Sequence, residues 1–282
     1  MKVQGKTIVV TGGGGGLGRS LVIELLRRGA AVAAVDINEK ALALTRQHAG
    51  APDGRLSLHV LDITDRELVA DFPAEVIATH GSVDGLINNA GIIQPFVPVN
   101  DLDMKTIERV MNVNFYGTLY LVKAFLPHFL RRPGAHIINI SSLGGFMPFP
   151  GQTIYGASKA AVKLLTEGLY SELKGTHVRV TVIHPGAVRT DIMSNSGLEQ
   201  AVSSEGVEEQ GAALHPDLAA GQIVEAMVAD KYRATVGRDS FMLDLLYRIA
   251  PRFATNIIQK KMKDQQLPGS TTADSTKKVS SV

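Results

Sequence analysis

The chain of 282 residues is 45% hydrophobic, which is enough to bury a sizeable core in one large domain or two small ones. A formal net charge of +2 gives no overall indication of nucleic-acid binding. The absence of cysteine excludes disulfides, thiolate metal sites and cysteine nucleophiles. The apolar run near the N-terminus is too short for a signal peptide or a membrane span, so we expect a soluble, cytoplasmic protein.

Short apolar runs alternate with stretches of helical length along residues 1–240. The strand-like runs are 7–10, 31–35, 56–61, 85–89, 136–140, 178–183 and 233–237, and helical stretches include 17–28, 103–130 and 153–174. Continuous apolar strands are typical of a sheet that helices cover on both faces. The alternation predicts an α/β fold, a doubly wound parallel sheet of about seven strands (Rossmann fold), in one domain over residues 1–240.

The segment TGGGGGLG at 11–18 follows the first predicted strand and precedes the first predicted helix. Glycine lets the backbone turn sharply and approach a ligand, and the free N–H groups at a helix start favour a pyrophosphate. The spacing of Gly12, Gly16 and Gly18 fits a dinucleotide-binding loop that also includes Leu17, whereas residues 13–15 could be filler. The flanking strand and helix argue against a flexible linker.

Asp36 ends the second predicted strand. A carboxylate at this point can accept hydrogen bonds from both hydroxyls of an adenosine ribose and repels a 2′-phosphate. The next residue is Ile37 and the loop has Gly15, so neither position supplies a basic group for that phosphate, which favours NAD over NADP. An aspartate that only shapes the next turn is the alternative. Asp62, followed by Ile63, could reach the adenine or cap the following helix.

The segment IYGASKAAV at 154–162 places Tyr155 and Lys159 four residues apart, on one face of a predicted helix. A free tyrosine, with a pKa of about 10, is a poor base at neutral pH. A nearby ammonium favours the phenolate and lowers its pKa, so Tyr155 could act as a general base or acid on an alcohol or ketone. For the pair alone, a half-buried tyrosine with a lysine reaching to solvent is the alternative.

The glycine loop, NNAG at 88–91, a Ser–Tyr–Lys set and HPG at 184–186 occur in this order. With these motifs the chain resembles the short-chain dehydrogenase/reductase family over about residues 5–240. The TGxxxGxG pattern is that of the short single-domain members, which act on alcohols and ketones. The resemblance implies a nicotinamide dinucleotide cofactor, no metal, a small-molecule substrate rather than a nucleic acid, and a homodimer or homotetramer paired through helices around 103–130 and 153–174.

The resemblance also implies roles for single residues. Ser142, thirteen residues before Tyr155, matches the active-site serine that contacts the substrate oxygen, with Ser141 as its less favoured neighbour. Asn114 matches the asparagine that holds a proton-relaying water, and Asn112 is a nearby decoy. The remaining matches are Lys159 for the nicotinamide ribose, Asn89, Ala90 and Gly91 for the adenosine side of the cofactor cleft, and Pro185, Gly186, Val188 and Thr190 for the nicotinamide carboxamide. His184 replaces a frequent asparagine, and we expect it to be structural.

Two segments could shape the substrate site. Bulky apolar residues lie between the serine and the tyrosine, namely Phe146, Met147, Phe149 and Pro150. We expect Phe146 and Phe149 to contact the substrate with Ser142 and Tyr155, and packing against a second subunit is the alternative. Residues 188–215 predict a substrate loop or lid. Its four glutamates, Glu199, Glu205, Glu208 and Glu209, disfavour an anionic substrate, and a solvated acidic face is the alternative explanation for them.

The segment 241–266 extends beyond the predicted domain. Apolar residues recur four apart, cations lie between them, and Pro251 predicts a break. It could cover the substrate pocket or pack on a partner subunit, which we favour, lie on an anionic membrane surface, or form a loose tail. Residues 267–282 are rich in Ser, Thr and Lys and are predicted to be disordered.

The motifs together predict an NAD(H)-dependent oxidoreductase that interconverts a secondary alcohol and a ketone of medium, hydrophobic character. A non-catalytic dinucleotide sensor or scaffold on the same fold is the alternative. Such a protein would be free to lose Tyr155 or Lys159, and this chain keeps both.

Overall fold

The structure, a computed structural model, describes residues 1–51, 54–190, 192–198 and 213–264. In this part of the chain the strands are β1 (Thr7–Thr11), β2 (Ala31–Asp36), β3 (Leu56–Val60), β4 (Gly85–Asn88), β5 (Ala135–Ile140), β6 (Val178–Pro185) and β7 (Arg233–Val236). They form one sheet in the order β3-β2-β1-β4-β5-β6-β7, and every neighbouring pair is parallel. All seven predicted strands are found within two residues of their predicted ends, and the predicted fold class is confirmed.

The helices connect and cover these strands. They are α1 (Gly16–Arg27), α2 (Glu39–Ala49), α3 (Arg66–His80), α4 (Met104–Met111), α5 (Thr118–Phe129), α6 (Thr153–Glu172), α7 (Ile192–Asn195), α8 (Pro216–Val228), α9 (Arg238–Ile249) and α10 (Pro251–Asp264). In the described residues, no helix combines the length and the apolar character that crossing a membrane requires.

Alternate strand residues bury into opposite layers, which explains the continuous apolar strands. Ile8 and Val10 of β1 pack in one cluster with residues of α1 and α8, whereas Val9 packs in another with residues of α3 and α5. Side chains that face helices on both sides of the sheet are therefore mostly apolar. The chain passes from β3, at one edge of the sheet, to β4, which lies beside β1, so the strand order reverses between β1 and β4. The crevice at such a switch point is where open α/β sheets bind ligands.

The stretch predicted as one helix over 103–130 contains a wider turn. Between α4 and α5, residues Asn112–Gly117 form a π-helical segment. One π turn shifts the side chains that follow relative to an α-helical register, and such turns are frequent at functional sites. This turn directs Asn114 into the protein, where it is fully buried.

The C-terminal segment is helical and breaks where Pro251 predicts. Helix α9 ends at Ile249, Ala250 leaves the helical conformation, and α10 begins at Pro251. The inner side of the two helices carries Ala254 and Ile258, which bury against Leu143 and Met147. The segment therefore packs over the loop that follows β5.

Candidate active site

A cleft of about 1650 Å³ runs along the carboxyl ends of the strands. Six consecutive strands each contribute residues at or just after their ends. Nineteen of the predicted site residues line this cleft: Gly12, Gly16, Leu17, Gly18, Asp36, Ile37, Asp62, Ile63, Asn89, Ala90, Gly91, Ser142, Phe149, Tyr155, Lys159, Pro185, Gly186, Val188 and Thr190. Asn114 and Phe146 are not among its lining residues.

The glycine loop is packed so tightly that several of its positions have no room for a side chain. Gly12 has a φ of +66°, and a Cβ at Gly18 would lie 1.9 Å from the carbonyl oxygen of Gly12. Gly14, which the sequence left as filler, is also constrained: its N–H donates to Asp36 at 3.0 Å, and a Cβ there would lie 2.8 Å from that of Ala41. Asp36, at the end of β2, therefore helps to fix the conformation of the loop.

The carboxylate of Asp36 lies at the rim of the cleft with both oxygens engaged by backbone groups. One accepts from Gly14 and the other from the N–H of Asn38 at 3.0 Å. These bonds fix the orientation of the carboxylate. The guanidinium of Arg19 is occupied nearby, because it donates to the carbonyl of Gly14 and to the hydroxyl of Thr45.

Asp62 does not cap the helix that follows it, which removes one alternative. Its carboxylate accepts from the N–H and the hydroxyl of Thr64, at 2.9 and 2.7 Å. The cap of α3 is Asp65, which accepts from Glu67 and Leu68. Asp62 thus closes a turn on the wall of the cleft.

Thr11, which sequence reasoning did not single out, organises the switch point. Its hydroxyl accepts from the N–H groups of Asn89 and Ala90, at 3.0 and 3.1 Å, and its carbonyl accepts from the side chain of Asn89. These bonds join the ends of β1 and β4. A threonine directly before a glycine loop is the signal that could have identified it.

Ser142, Tyr155 and Lys159 meet at the other end of the cleft. Burial raises the pKa of the Tyr155 phenol above its ordinary value, and a hydrogen bond with Ser142 acts in the opposite direction. Burial also lowers the pKa of Lys159 to about 8, because it disfavours the ammonium, whose Nζ donates to the carbonyl of Ile140 at 3.1 Å. The expected lowering of the tyrosine pKa by lysine is therefore not met here, since burial dominates.

Asn114 uses its side chain to hold a neighbouring loop. Its amide donates to the carbonyl of Ile92 and to Ser158, and its Oδ1 accepts from the N–H of Ile92, each at 2.9 Å. Asn114 is close to Lys159, because a Cβ on Gly91 would lie 3.2 Å from the asparagine Oδ1 and 3.0 Å from the lysine Nζ. The water relay remains a prediction.

The structure distinguishes Ser142 from its neighbour Ser141 and shows the contacts of His184. Ser141 is buried and donates to the carbonyl of Lys159, so it has a structural partner, whereas Ser142 faces the cleft. His184 is buried as well, and its Nδ1 donates to the carbonyl of Ser142 at 3.1 Å. Its position behind the serine fits the structural role that we expected.

The structure does not bring Phe146, a predicted substrate contact, to the lining of the cleft. Its ring packs edge-on against His184 at 5.2 Å between centroids, and the guanidinium of Arg233 lies 5.4 Å from the ring centre. The residue directly follows a short 3₁₀ turn at Leu143–Gly145. Met147 is in the C-terminal core cluster and Pro150 is exposed, so Phe149 alone of the four predicted wall residues lines the cleft.

The family of the chain follows from a comparison with known proteins. Residues 6–201 match the family model described as short chain dehydrogenase. The chain belongs to the short chain dehydrogenase family. A Mycobacterium tuberculosis protein named as an oxidoreductase, SadH, is 37% identical over 252 residues, which cover 87% of this chain and 91% of SadH.

Solved structures share the fold, among them a short chain dehydrogenase/reductase. One from Burkholderia phymatum in complex with NAD has a TM-score of 0.78 at 23% identity and covers 96% of this chain and 99% of its own. ElxO with NADP bound has a TM-score of 0.75 at 22% identity, over 85% of this chain and 100% of its own. The fold therefore accommodates either dinucleotide.

Several cleft residues of this short chain dehydrogenase were missed from the sequence. The segment after NNAG supplies three apolar residues, Ile92, Ile93 and Phe96. The C-terminal helices supply three more, Leu243, Ile258 and Met262. Gln152 also lines the cleft. Its Nε2 donates to the carbonyl of Gln94 at 2.7 Å, whereas its buried Oε1 accepts no hydrogen bond within the described part of the chain. The predicted lid lies partly outside the described residues, including all four glutamates.

Proposed function

We propose that the protein is an NAD-dependent oxidoreductase that interconverts a secondary alcohol and a ketone. The convergence of Ser142, Tyr155 and Lys159 at one end of a cleft, with the glycine loop and Asp36 at the other, supports this proposal. A non-catalytic dinucleotide sensor would not need a phenol, a hydroxyl and an ammonium together.

The residues present fit a nicotinamide dinucleotide. Gly12 and Gly18 line the cleft and have no room for a Cβ, which would lie 2.9 Å from the Asn89 side chain at Gly12 and 1.9 Å from the Gly12 carbonyl oxygen at Gly18. Their bare backbone would allow a pyrophosphate to approach closely. Asp36 would hold the adenosine ribose, and Lys159 would bind the nicotinamide ribose. Residues 89–91 would line the adenosine side of the cofactor, and residues 185–190 would line its nicotinamide side. When bound, the cofactor accepts or supplies the hydride.

The protein's own part is to position the substrate and to move one proton. Ser142 donates to the substrate oxygen and fixes it beside Tyr155. In reduction the phenol gives its proton to the carbonyl oxygen, and its raised pKa keeps it protonated and ready for this role. In oxidation it takes the hydroxyl proton, and there the ammonium of Lys159, one helical turn on, would have to oppose the effect of burial, which disfavours the phenolate.

The preference for NAD rests on Asp36. Two backbone N–H groups fix the orientation of its carboxylate, whose negative charge would repel a 2′-phosphate. Ile37 beside it is uncharged and exposed. Lys105 and Arg109 of α4 also line the cleft, so the two cofactors need a direct comparison.

The substrate end of the cleft favours an apolar molecule. Apolar side chains converge there from separate segments: Ile92, Ile93, Phe96, Leu143, Phe149, Met193, Leu243, Ile258 and Met262. Walls of this kind suit a medium-sized hydrophobic alcohol or ketone. The polar Oε1 of Gln152 offers such a substrate one hydrogen-bond acceptor.

We also propose that the enzyme works as a homodimer or homotetramer. Large apolar residues are exposed on or beside α4 to α6, among them Met104, Tyr116, Leu164 and Tyr170. Exposed apolar residues concentrated on a few helices mark a contact surface.

The deciding experiment is a rate measurement. Initial rates with NAD⁺ and NADP⁺ are compared over secondary alcohols from short aliphatic chains to polycyclic ring systems, with NAD⁺ binding measured by calorimetry in parallel. We expect turnover with NAD⁺ on the bulky apolar alcohols. If no alcohol in the panel is turned over although NAD⁺ binds, the result would instead support the non-catalytic dinucleotide sensor.

A further inference from the structure

The outer side of the two C-terminal helices exposes a set of large apolar side chains, which we name the C-terminal face. It consists of Phe241, Met242, Leu245 and Ile249 on α9 and Phe253 and Ile257 on α10. Their exposed fractions run from 39% for Ile257 to 75% for Ile249. Six large apolar residues on adjoining helices are more than scattered surface residues and mark an interaction site.

Helical geometry shows that the four residues of α9 share one side of that helix. At about 100° per residue, positions 241, 242, 245 and 249 fall within an arc of about 100°. The opposite side is already used, because Leu243 and Leu246 of α9 and Ala254 and Ile258 of α10 pack with the loop after β5. The helices therefore have two apolar sides, and only the inner one is covered by the described protein.

Cations predominate in the sequence of this face. Residues 245–263 contain Arg248, Arg252, Lys260, Lys261 and Lys263 and no Asp or Glu, and carboxylates flank the stretch at Asp239, Asp244 and Asp264. Arg252 and Lys260 are exposed. The carboxylate just before this stretch, Asp244, is bonded to Arg233 at 2.7 Å and to Arg248 at 3.2 Å. The C-terminal face is thus apolar with a cationic border.

We propose that the C-terminal face docks on a bilayer that contains anionic lipids. The apolar side chains would enter the boundary between headgroups and acyl chains, while the cations would meet the headgroup charges. The inner side of the same helices supplies Leu243, Ile258 and Met262 to the cleft. Resting on the proposed function, this position implies that the substrate is a lipophilic alcohol or ketone drawn from the membrane.

Other occupants fit less well. A second copy of the chain pairing through the same face would bring two cationic borders together, and like charges oppose such a contact. Residues 265–282 contain only Leu267, Val279 and Val282 as large apolar residues. Three side chains cannot cover six, so the chain's own tail is a poor partner.

The test is co-sedimentation of the full chain with vesicles of equal parts phosphatidylcholine and phosphatidylserine, beside vesicles of phosphatidylcholine alone. We expect binding to the mixed vesicles that weakens with added salt. The variant Leu245→Ser/Ile249→Ser/Phe253→Ser should bind about tenfold less or weaker still, and Arg252→Glu/Lys260→Glu should show a similar loss on the mixed vesicles. Leu44→Ser, an exposed site on α2 at the opposite edge of the sheet, should bind like wild type.

Each result decides the proposal. Absence of wild-type binding, or equal binding by the Leu245/Ile249/Phe253 variant, would overturn it. The proposal would also be overturned if, in the absence of lipid, the wild-type protein formed a larger oligomer than this variant. The C-terminal face would then be a contact with a second copy of the chain. Turnover of a water-soluble alcohol is measured on the same samples: vesicle binding without turnover contradicts the proposed function only, and turnover without vesicle binding contradicts the docking only.

Discussion

The side chain of Gln94 closes the start of the helix that carries Tyr155. Its Oε1 accepts hydrogen bonds from the N–H groups of Ile154 at 2.8 Å and Tyr155 at 3.0 Å, and its Nε2 donates to the carbonyl of Gly151 at 2.9 Å. The first N–H groups of a helix have no partner within it. A fully buried glutamine from the loop after β4 therefore serves as the cap and fixes where the phenol stands.

Replacing Gln94 by methionine of similar length would leave two N–H groups and one carbonyl unpaired in the interior. We expect the free energy of unfolding to fall by about 2–5 kcal/mol. We also expect kcat to fall about tenfold, because the phenol loses its fixed position. Urea denaturation and initial rates measure the two effects. Gln47→Met makes the same change on the exposed side of α2 and should alter neither, and a wild-type kcat in Gln94→Met would show that the cap does not position Tyr155.

Replacing Tyr155 by phenylalanine removes the proton donor and acceptor and leaves the ring. We expect the rate to fall by about 10²–10⁴-fold, the usual contribution of a general acid or base. NAD⁺ affinity should stay nearly unchanged, which calorimetry checks. Tyr170→Phe, on the ring that lies 4.4 Å from that of Tyr232, is the matched control. Retained turnover in Tyr155→Phe would refute its assignment.

Local patterns predicted the strands and the glycine loop because both depend on residues close in sequence, whereas most of the single cleft residues were predicted from the family resemblance. Apolar runs define the strands, and Tyr155 and Lys159 share a face by helical period alone. The placement of Phe146 could not be predicted this way, because it depends on His184 and Arg233, which reach it only through the fold. The role of Gln94 was missed for the same reason, since its partners lie some sixty residues further along the chain.

Replacing Asp36 by asparagine removes the charge and keeps the shape. We expect the preference for NAD⁺ over NADP⁺ to fall about tenfold or more, because the carboxylate no longer repels a 2′-phosphate and no longer accepts from both ribose hydroxyls. Direct binding of the two cofactors gives the ratio. Asp71→Asn, at an exposed site on α3, should leave it unchanged. A wild-type protein that already prefers NADP⁺ would contradict this account of Asp36.

Two buried histidines make stability depend on pH. Burial lowers the pKa of His136 to about 3 and that of His184 to about 4, from an ordinary value of 6.5. In the unfolded chain both bind a proton near pH 6.5, whereas in the folded protein they stay neutral until the pH is far lower. Between these values the unfolded state holds more protons, so the free energy of unfolding falls as the pH falls.

The variant His184→Asn tests this link, since an asparagine can still donate to the carbonyl of Ser142 but does not titrate. One such histidine contributes a loss of about 1.4 kcal/mol per pH unit below its unfolded pKa. Urea denaturation at pH 7 and pH 5 should therefore show a smaller loss in His184→Asn than in wild type. The exposed His48→Asn should lose as much stability as wild type does. An equal loss in His184→Asn would mean that this histidine is protonated in the folded protein as readily as in the unfolded chain.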